Sequence, residues 1–304
     1  MTIAESNFEE STFALICIAV ISLLGFLSNG LSLHITITNS RFQNAYGTLC
    51  TTVLLCNIQT ISVLLIWGAV VLITDSRELS SPTHFIALIP GCLANVSFYG
   101  TILVHLLIAV NRYCAFAYPL KYHFFWSVTK ARRAGIIAYC LGFLPCFPSI
   151  FEPCTLIFNT DLDFRWSYSN TGCGYINSMF DTALTISALT IAVVIDFITL
   201  LRIRNHSKSI KINQPIAYSV NRKCDIFFFK QSFISGLMMI TASLFFNIGQ
   251  QFLTNKWALF AVTTIGWVIA HVLDGFIIMI FSWHYINSSR MNSNRVTSCR
   301  MQAW

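Results

Sequence analysis

Long apolar stretches separated by short polar ones recur along the whole chain: Phe13–Ile37, Gly47–Thr74, Phe85–Val110, Ala134–Phe158, Met179–Leu201, Ile226–Gln250 and Ala258–Trp283. Each holds the ~20 residues that carry an α-helix across a ~30 Å hydrocarbon core. Helix is the required conformation, because lipid offers no partner to a free amide or carbonyl. The pattern predicts an all-α membrane protein, a single domain of packed helices over residues 1–304. A short outer N-terminus (1–12) and a short cytoplasmic tail (284–304) flank it. The fourth stretch is interrupted by Pro145, Pro148 and Pro153, whose freed carbonyls need partners on neighbouring helices. Six spans is the alternative count to seven.

Composition agrees. Charged residues are 10% of the chain and hydrophobic ones 55%, against about a quarter charged in soluble domains. All but three of the 19 Lys and Arg fall in the loops after the first, third and fifth stretches or in the tail; only Arg77, Arg165 and Lys256 lie opposite. Basic loops face the cytosol, so the amino terminus is expected outside and the carboxyl terminus inside. The acids Glu5, Glu9, Glu10, Asp75, Glu78, Glu152, Asp161, Asp163 and Asp181 then fall outside. The positive balance is a topology signal and an attraction to anionic membrane lipids, with no nucleic acid implied. No Lys or Arg precedes the first stretch, so a cleaved signal peptide is not expected.

Cys154 and Cys173 both flank the second outer loop, in an oxidising compartment. A bridge between them would close about twenty residues, worth about 3 kcal/mol in the chain-entropy model. Sequons stand at Asn95, Asn205 and Asn287; under this topology one is intramembrane and two cytoplasmic, so none is expected to carry glycan.

Ionisable groups inside a membrane each need a reason. Asp274 in the seventh stretch is the sharpest, with His271 three residues before it on one helical face. Asp196 in the fifth reads as reaching toward the basic inner boundary. On the third, Asn95, Phe98, Tyr99 and Ile102 share a face that His105 continues. With Asn247, Gln250, Trp267 and His271 they are candidates for an outward-opening, small-molecule pocket, and equally for plain helix packing. No acid occupies the outer half of the third stretch, which argues against a protonated amine held there. No Lys lies in the seventh, so a retinal Schiff base is excluded and no cofactor is expected. The seven histidines are scattered without metal spacing.

The third stretch ends in Asn111-Arg112-Tyr113, followed by Tyr118-Pro119-Leu120-Lys121-Tyr122. This resembles the Asp/Glu-Arg-Tyr…Pro-Leu-x-Tyr signature of rhodopsin-like G-protein-coupled receptors. The resemblance implies a seven-transmembrane bundle of that type, with Asn111, Arg112 and Tyr113 at the G-protein face. The acid that usually precedes the arginine is the neutral Asn111 here, and Asp225 is the nearest alternative partner for Arg112. The resemblance also places Asn29 and Asn57 where such receptors build a polar cluster with the seventh helix, giving a network of Asn29, Asn57 and Asp274. A purely structural interhelical bond is the alternative reading of that network. Such receptors usually bridge the second outer loop to the third helix, which makes Cys92 an alternative partner for Cys173. Cys92 lies deeper than the usual position, which favours Cys154–Cys173.

Over nearly its whole length the chain resembles a nematode serpentine chemoreceptor of class x. The resemblance is carried by Gly25-Phe26-Leu27-Ser28-Asn29, Tyr46-Gly47-Thr48-Leu49-Cys50, His105 to Tyr113, the Cys154…Trp166…Cys173-Gly174 loop, and His271-Val272-Leu273-Asp274-Gly275. It implies a non-enzymatic plasma-membrane receptor of sensory neurons, with a small environmental ligand and a heterotrimeric G protein as partners. Two departures stand out: no Asn-Pro-x-x-Tyr closes the seventh helix, and the sixth has no proline. The rival class is a transporter or channel for a small solute, which would show internal repeats or matched broken helices; none is visible.

Overall fold

The computed structural model describes residues 3–76, 78–160, 163–210 and 215–292, with the side chains at 3–7, 41, 206–229 and 284–292 left out of account. Its long helices are α1 (Ile3–Thr38), α2 (Ala45–Thr74), α3 (Phe85–Ala117), α4 (Val128–Leu141), α5 (Gly172–Ile210), α6 (Pro215–Asn247) and α7 (Gly266–Asn292). Six spans built on α1–α5 and α7 are long and apolar enough to cross a membrane. The α6 helix completes the bundle, packed between α5 and α7.

The arrangement of polarity is that of a protein dissolved in lipid. On α1, Leu23, Leu24, Leu27 and Leu31 are exposed while Ser22, Ser28, Asn29 and Ser32 are buried. Apolar side chains face outward and small polar ones face the neighbouring helix. Small and hydroxyl residues let helix backbones approach closely where no hydrophobic force drives them together. The α3 helix is the most buried of the spans and forms the axis of the bundle, against α2, α4 and α5.

Local signals set the ends. Asn44 caps α2 by accepting from the Gly47 amide at 2.9 Å, and Ser127 caps α4 by accepting from the Lys130 amide at 3.2 Å. Asp75 closes α2 in the left-handed conformation, φ 47°. The first helix begins earlier than its apolar stretch, at Ile3, through the segment expected to be a short outer terminus. The expected tail from 293 lies outside the described residues.

The fourth stretch departs most from expectation. Its helix begins at Val128, breaks at Gly142 into a short turn (Phe143–Cys146), and ends in a 3₁₀ turn (Phe147–Ile150) at the proline cluster. The residues at its expected end instead form strand β1 (Leu156–Asn159). This strand pairs antiparallel with β2 (Arg165–Tyr168), Phe158 opposite Trp166. The prolines stop the helix because they lack the amide it needs. The hairpin lies across the end of the bundle opposite Arg112, packed on α3. Cys154 and Cys173 are joined in a disulfide, Cα atoms 5.0 Å apart, tying the hairpin's base to α5. Cys92 is free.

The α7 helix is entered through a short helix (Lys256–Phe260) and a π-helical turn (Ala261–Ile265). Such turns frequently occur at functional sites. Here the turn presents Thr264, whose hydroxyl accepts from the Trp166 amide at 3.2 Å and donates to the Phe164 carbonyl at 3.0 Å. It docks the hairpin onto the bundle.

Candidate functional site

Three polar clusters follow one another down the bundle axis. The first lies under the hairpin. Asp181 on α5 is buried, 4% exposed, and accepts from the Tyr99 hydroxyl at 2.7 Å and the Asn247 amide at 3.4 Å. Asn247 accepts in turn from Ser178 at 2.7 Å, and Asn95 donates to the Tyr168 hydroxyl of β2 at 3.1 Å. Burial, then the neighbouring Asp181 carboxylate, pushes the Tyr168 phenol well above its ordinary pKa. Beside this cluster Trp267 meets Trp166 and Phe98 edge to face, centroids 6.1 and 6.2 Å apart.

Of the residues expected to line an outward-opening pocket, Asn95, Phe98, Tyr99, Asn247 and Trp267 are brought together here. They do not open outward, however. Trp166 and Phe158 of the hairpin itself are fully buried, so the hairpin roofs the cluster. Asp181, read from the sequence only as an outer acid, is the carboxylate the reading missed. Nothing in its apolar-run context marks it, because its partners come from α3 and α6.

The second cluster is central. Phe98 packs on His271, centroids 6.1 Å apart. His271 Nδ1 is 2.8 Å from Asn57 Oδ1. Asn57 Nδ2 donates to both Asn29 Oδ1, at 3.2 Å, and Asp274 Oδ2, at 2.9 Å. Asp274 also accepts from the Ser235 hydroxyl of α6, and His105 Nε2 of α3 lies 3.4 Å from it. Asn29, Asn57, His271 and Asp274 are all 0% exposed. Helices α2, α3 and α6 therefore meet on the one carboxylate of α7, and α1 joins them through Asn57. His271, expected in the outer pocket, donates or accepts in this network instead. The Asn29 amide further ties α1 to the His271 carbonyl at 3.1 Å, and Ser32 donates to the Gly275 carbonyl at 2.8 Å.

A cavity of about 10 Å³, bounded by His105, Asp196, Ser232 and Gly236, separates the second cluster from the third. It is the scale of one water molecule. Below it, Arg112 Nε and Nη2 donate to Asp196 Oδ1 at 3.1 and 2.8 Å, and Nη2 to Oδ2 at 2.7 Å. The Ser232 hydroxyl of α6 accepts from the same guanidinium. A bidentate pair in a water-poor site is among the stronger polar contacts a protein makes. The expected partner was Asp225, whose side chain lies outside the described residues. Among the described residues the carboxylate on Arg112 is Asp196, carried by α5. The sequence offered Asp196 only as a boundary acid because two helices had to be brought together to pair it. Nearby, Asn111 donates to the Tyr122 hydroxyl at 3.0 Å, fixing the turn after α3, and the Arg202 guanidinium stacks over the Tyr113 ring at 5.2 Å. Tyr46 of α2 donates to Gln231 of α6 at 3.1 Å.

Sequence comparison assigns the chain to a family of membrane proteins. The profile of the family described as "Serpentine type 7TM GPCR chemoreceptor Srx" aligns with residues 19–282. The chain belongs to the Srx family. It is 23% identical to Serpentine receptor class X-43 of Caenorhabditis elegans over 185 residues, 58% of this chain and 56% of that receptor. It is 24% identical to Serpentine receptor class X 45 of the same organism over 281 residues, 86% of this chain and 76% of that receptor. The chain thus spans just over half the length of the first of these relatives and about three quarters of the second. As an Srx chain it is a multi-pass membrane protein of a chemoreceptor family, and the Arg112 motif falls within the matched residues.

Proposed function

We propose that this protein is a G-protein-coupled chemosensory receptor of the plasma membrane. The hairpin end faces outside, and a small environmental ligand is recognised beneath the hairpin. The single observation that carries the reading is the polar axis itself. It runs from the roofed Asp181–Tyr99–Asn247 cluster, through the Asp274 network, to Arg112 held by Asp196 and Ser232. Asp181, Tyr99, Asn95, Asn247, Phe98 and Trp267 supply hydrogen-bonding groups and aromatic walls for a ligand. Asn29, Asn57 and Asp274 with His105 form the connection between the two ends.

At the other end, release of Arg112 from Asp196 and Ser232 frees α6 from α3 and α5. That opens the face on which a G protein docks, with Asn111 and Tyr113 at its rim. The resting state is thus the paired one, and a ligand activates by binding the unpaired state more tightly. Expression in a sensory neuron and a single receptor domain belong to the same reading.

The test is a G-protein activation assay against a panel of volatile and water-soluble small molecules in cells expressing the receptor. Asp181→Asn abolishes or right-shifts the response at unchanged surface level, and Arg112→Ala removes it at every dose. A ligand response untouched by both substitutions, with the protein at the surface, would overturn the proposal.

A further inference from the structure

An open groove lies outside the polar axis, on the flank of the bundle near the Arg112 end. The α2 helix packs against both α1 and α4 and leaves between them a groove of about 590 Å³. Its walls include Thr51, Leu55, Gln59, Arg132, Ile136 and Tyr139. The floor is tight: a Cβ on Gly135 of α4 would stand 2.8 Å from the Thr52 hydroxyl of α2.

The wall's polar groups are already satisfied. Thr51 and Thr52 donate to the carbonyls of Gly47 and Thr48 at 3.0 and 3.1 Å, and Gln59 exchanges hydrogen bonds with the Tyr139 hydroxyl at 2.9 and 3.0 Å. What they leave is an apolar channel. Leu55 and Ile136, both more than half exposed, stand in it, and Arg132 sits at its rim. Among the described residues Arg132 has no acidic partner. Its neighbour Lys130 is differently placed, bonded to the Phe124 carbonyl and stacked over the Phe124 ring at 5.1 Å.

Arg132 beside an apolar channel, with the Gln43 side chain as a further polar group on its wall, suits an anion carrying a hydrocarbon chain better than a polar solute. We propose that this groove binds an anionic phospholipid, with the phosphate on Arg132 and an acyl chain along Leu55 and Ile136. The site rests on the orientation given above, which puts Arg132 at the cytosolic leaflet where anionic lipid is concentrated. A void of this size inside the hydrocarbon region is filled by lipid, and Arg132 selects the charge of its headgroup. The occupant would lie between α1 and α4 alongside α2.

Native mass spectrometry of the full chain in detergent, with phosphatidylserine, phosphatidylcholine or cholesterol added, tests this. Wild type retains phosphatidylserine over phosphatidylcholine. Arg132→Gln reduces that retention about fivefold, as one basic residue near an anionic headgroup is worth. Arg133→Gln, one residue on and not part of the groove wall, leaves it unchanged. Leu55→Trp, which fills the channel from its lipid side, reduces retention of the lipid while leaving Arg132 in place. Inorganic phosphate does not raise the melting temperature, whereas phosphatidylserine does.

Equal retention of the two phospholipids, full retention by Arg132→Gln, or full retention by Leu55→Trp would each overturn the proposal. So would cholesterol binding that survives Arg132→Gln and displaces phosphatidylserine, since that would make the groove a sterol site. Because lipid retention in detergent is blind to which end faces the cytosol, these outcomes are separable from the orientation. Accessibility of Lys121 in intact cells decides the latter.

Discussion

Arg112 of α3 and Asp196 of α5 share three hydrogen bonds between 2.7 and 3.1 Å, with Asp196 only 3% exposed. A carboxylate so placed is tolerable because the guanidinium is there. Removing one member of a buried pair strands the other, at a cost of roughly 3–5 kcal/mol, whereas replacing both with apolar residues is often neutral. Asp196→Ala is therefore expected to lower the melting temperature of the purified protein steeply. The double change Arg112→Leu with Asp196→Leu should restore most of it. A double variant as unstable as the single one would show that the pair is not what stabilises this end of the bundle.

Gly275 of α7 lies against Asn29 of α1 so closely that a Cβ there would come within 2.6 Å of the Asn29 amide carbon. Gly275→Ala forces that amide out of its bonds to Asn57 and the His271 carbonyl, and overpacking of this kind costs about 1–3 kcal/mol. Combining it with Asn29→Ala makes room for the methyl group. The double variant should lose less stability than the sum of the two single losses, read in the same melting assay. Simple additivity would mean that the two helices do not touch here.

The Cys154–Cys173 disulfide spans 19 residues of sequence, for which the chain-entropy model gives about 3 kcal/mol. Reductant, or Cys154→Ser with Cys173→Ser, should lower thermal stability by that order and loosen the hairpin to protease. Cys92→Ser should leave the effect of reductant unchanged. If Cys92→Ser instead abolished it, the bridge would run to α3.

The sequence made the helices legible because lipid imposes length and hydrophobicity on each one independently. The resemblance to rhodopsin-like receptors also placed Asn29 and Asn57 beside Asp274, and the structure joins all three. What the sequence hid were relations between elements. Asp196 was legible only as a boundary acid, and it is helix packing that brings it to the Arg112 guanidinium. Asp181 looked like an outer-loop acid until Tyr99 and Asn247 closed on it. The hairpin was hidden for a different reason: Leu156–Asn159 is apolar, and a buried strand cannot be told from the end of a buried helix by apolarity alone. The proline cluster was the signal that could have separated them.

The roof meets the axis most closely at Gly91. Any side chain at Gly91 would strike the Leu156 carbonyl of β1, since even a Cβ has no room there. The strand and α3 are thus in backbone contact, and the hairpin cannot tilt without carrying α3 along. From Gly91 to Arg112 the helix is an unbroken rod of about 30 Å, so under the proposed function a push on the hairpin would reach the Arg112 end through one continuous element.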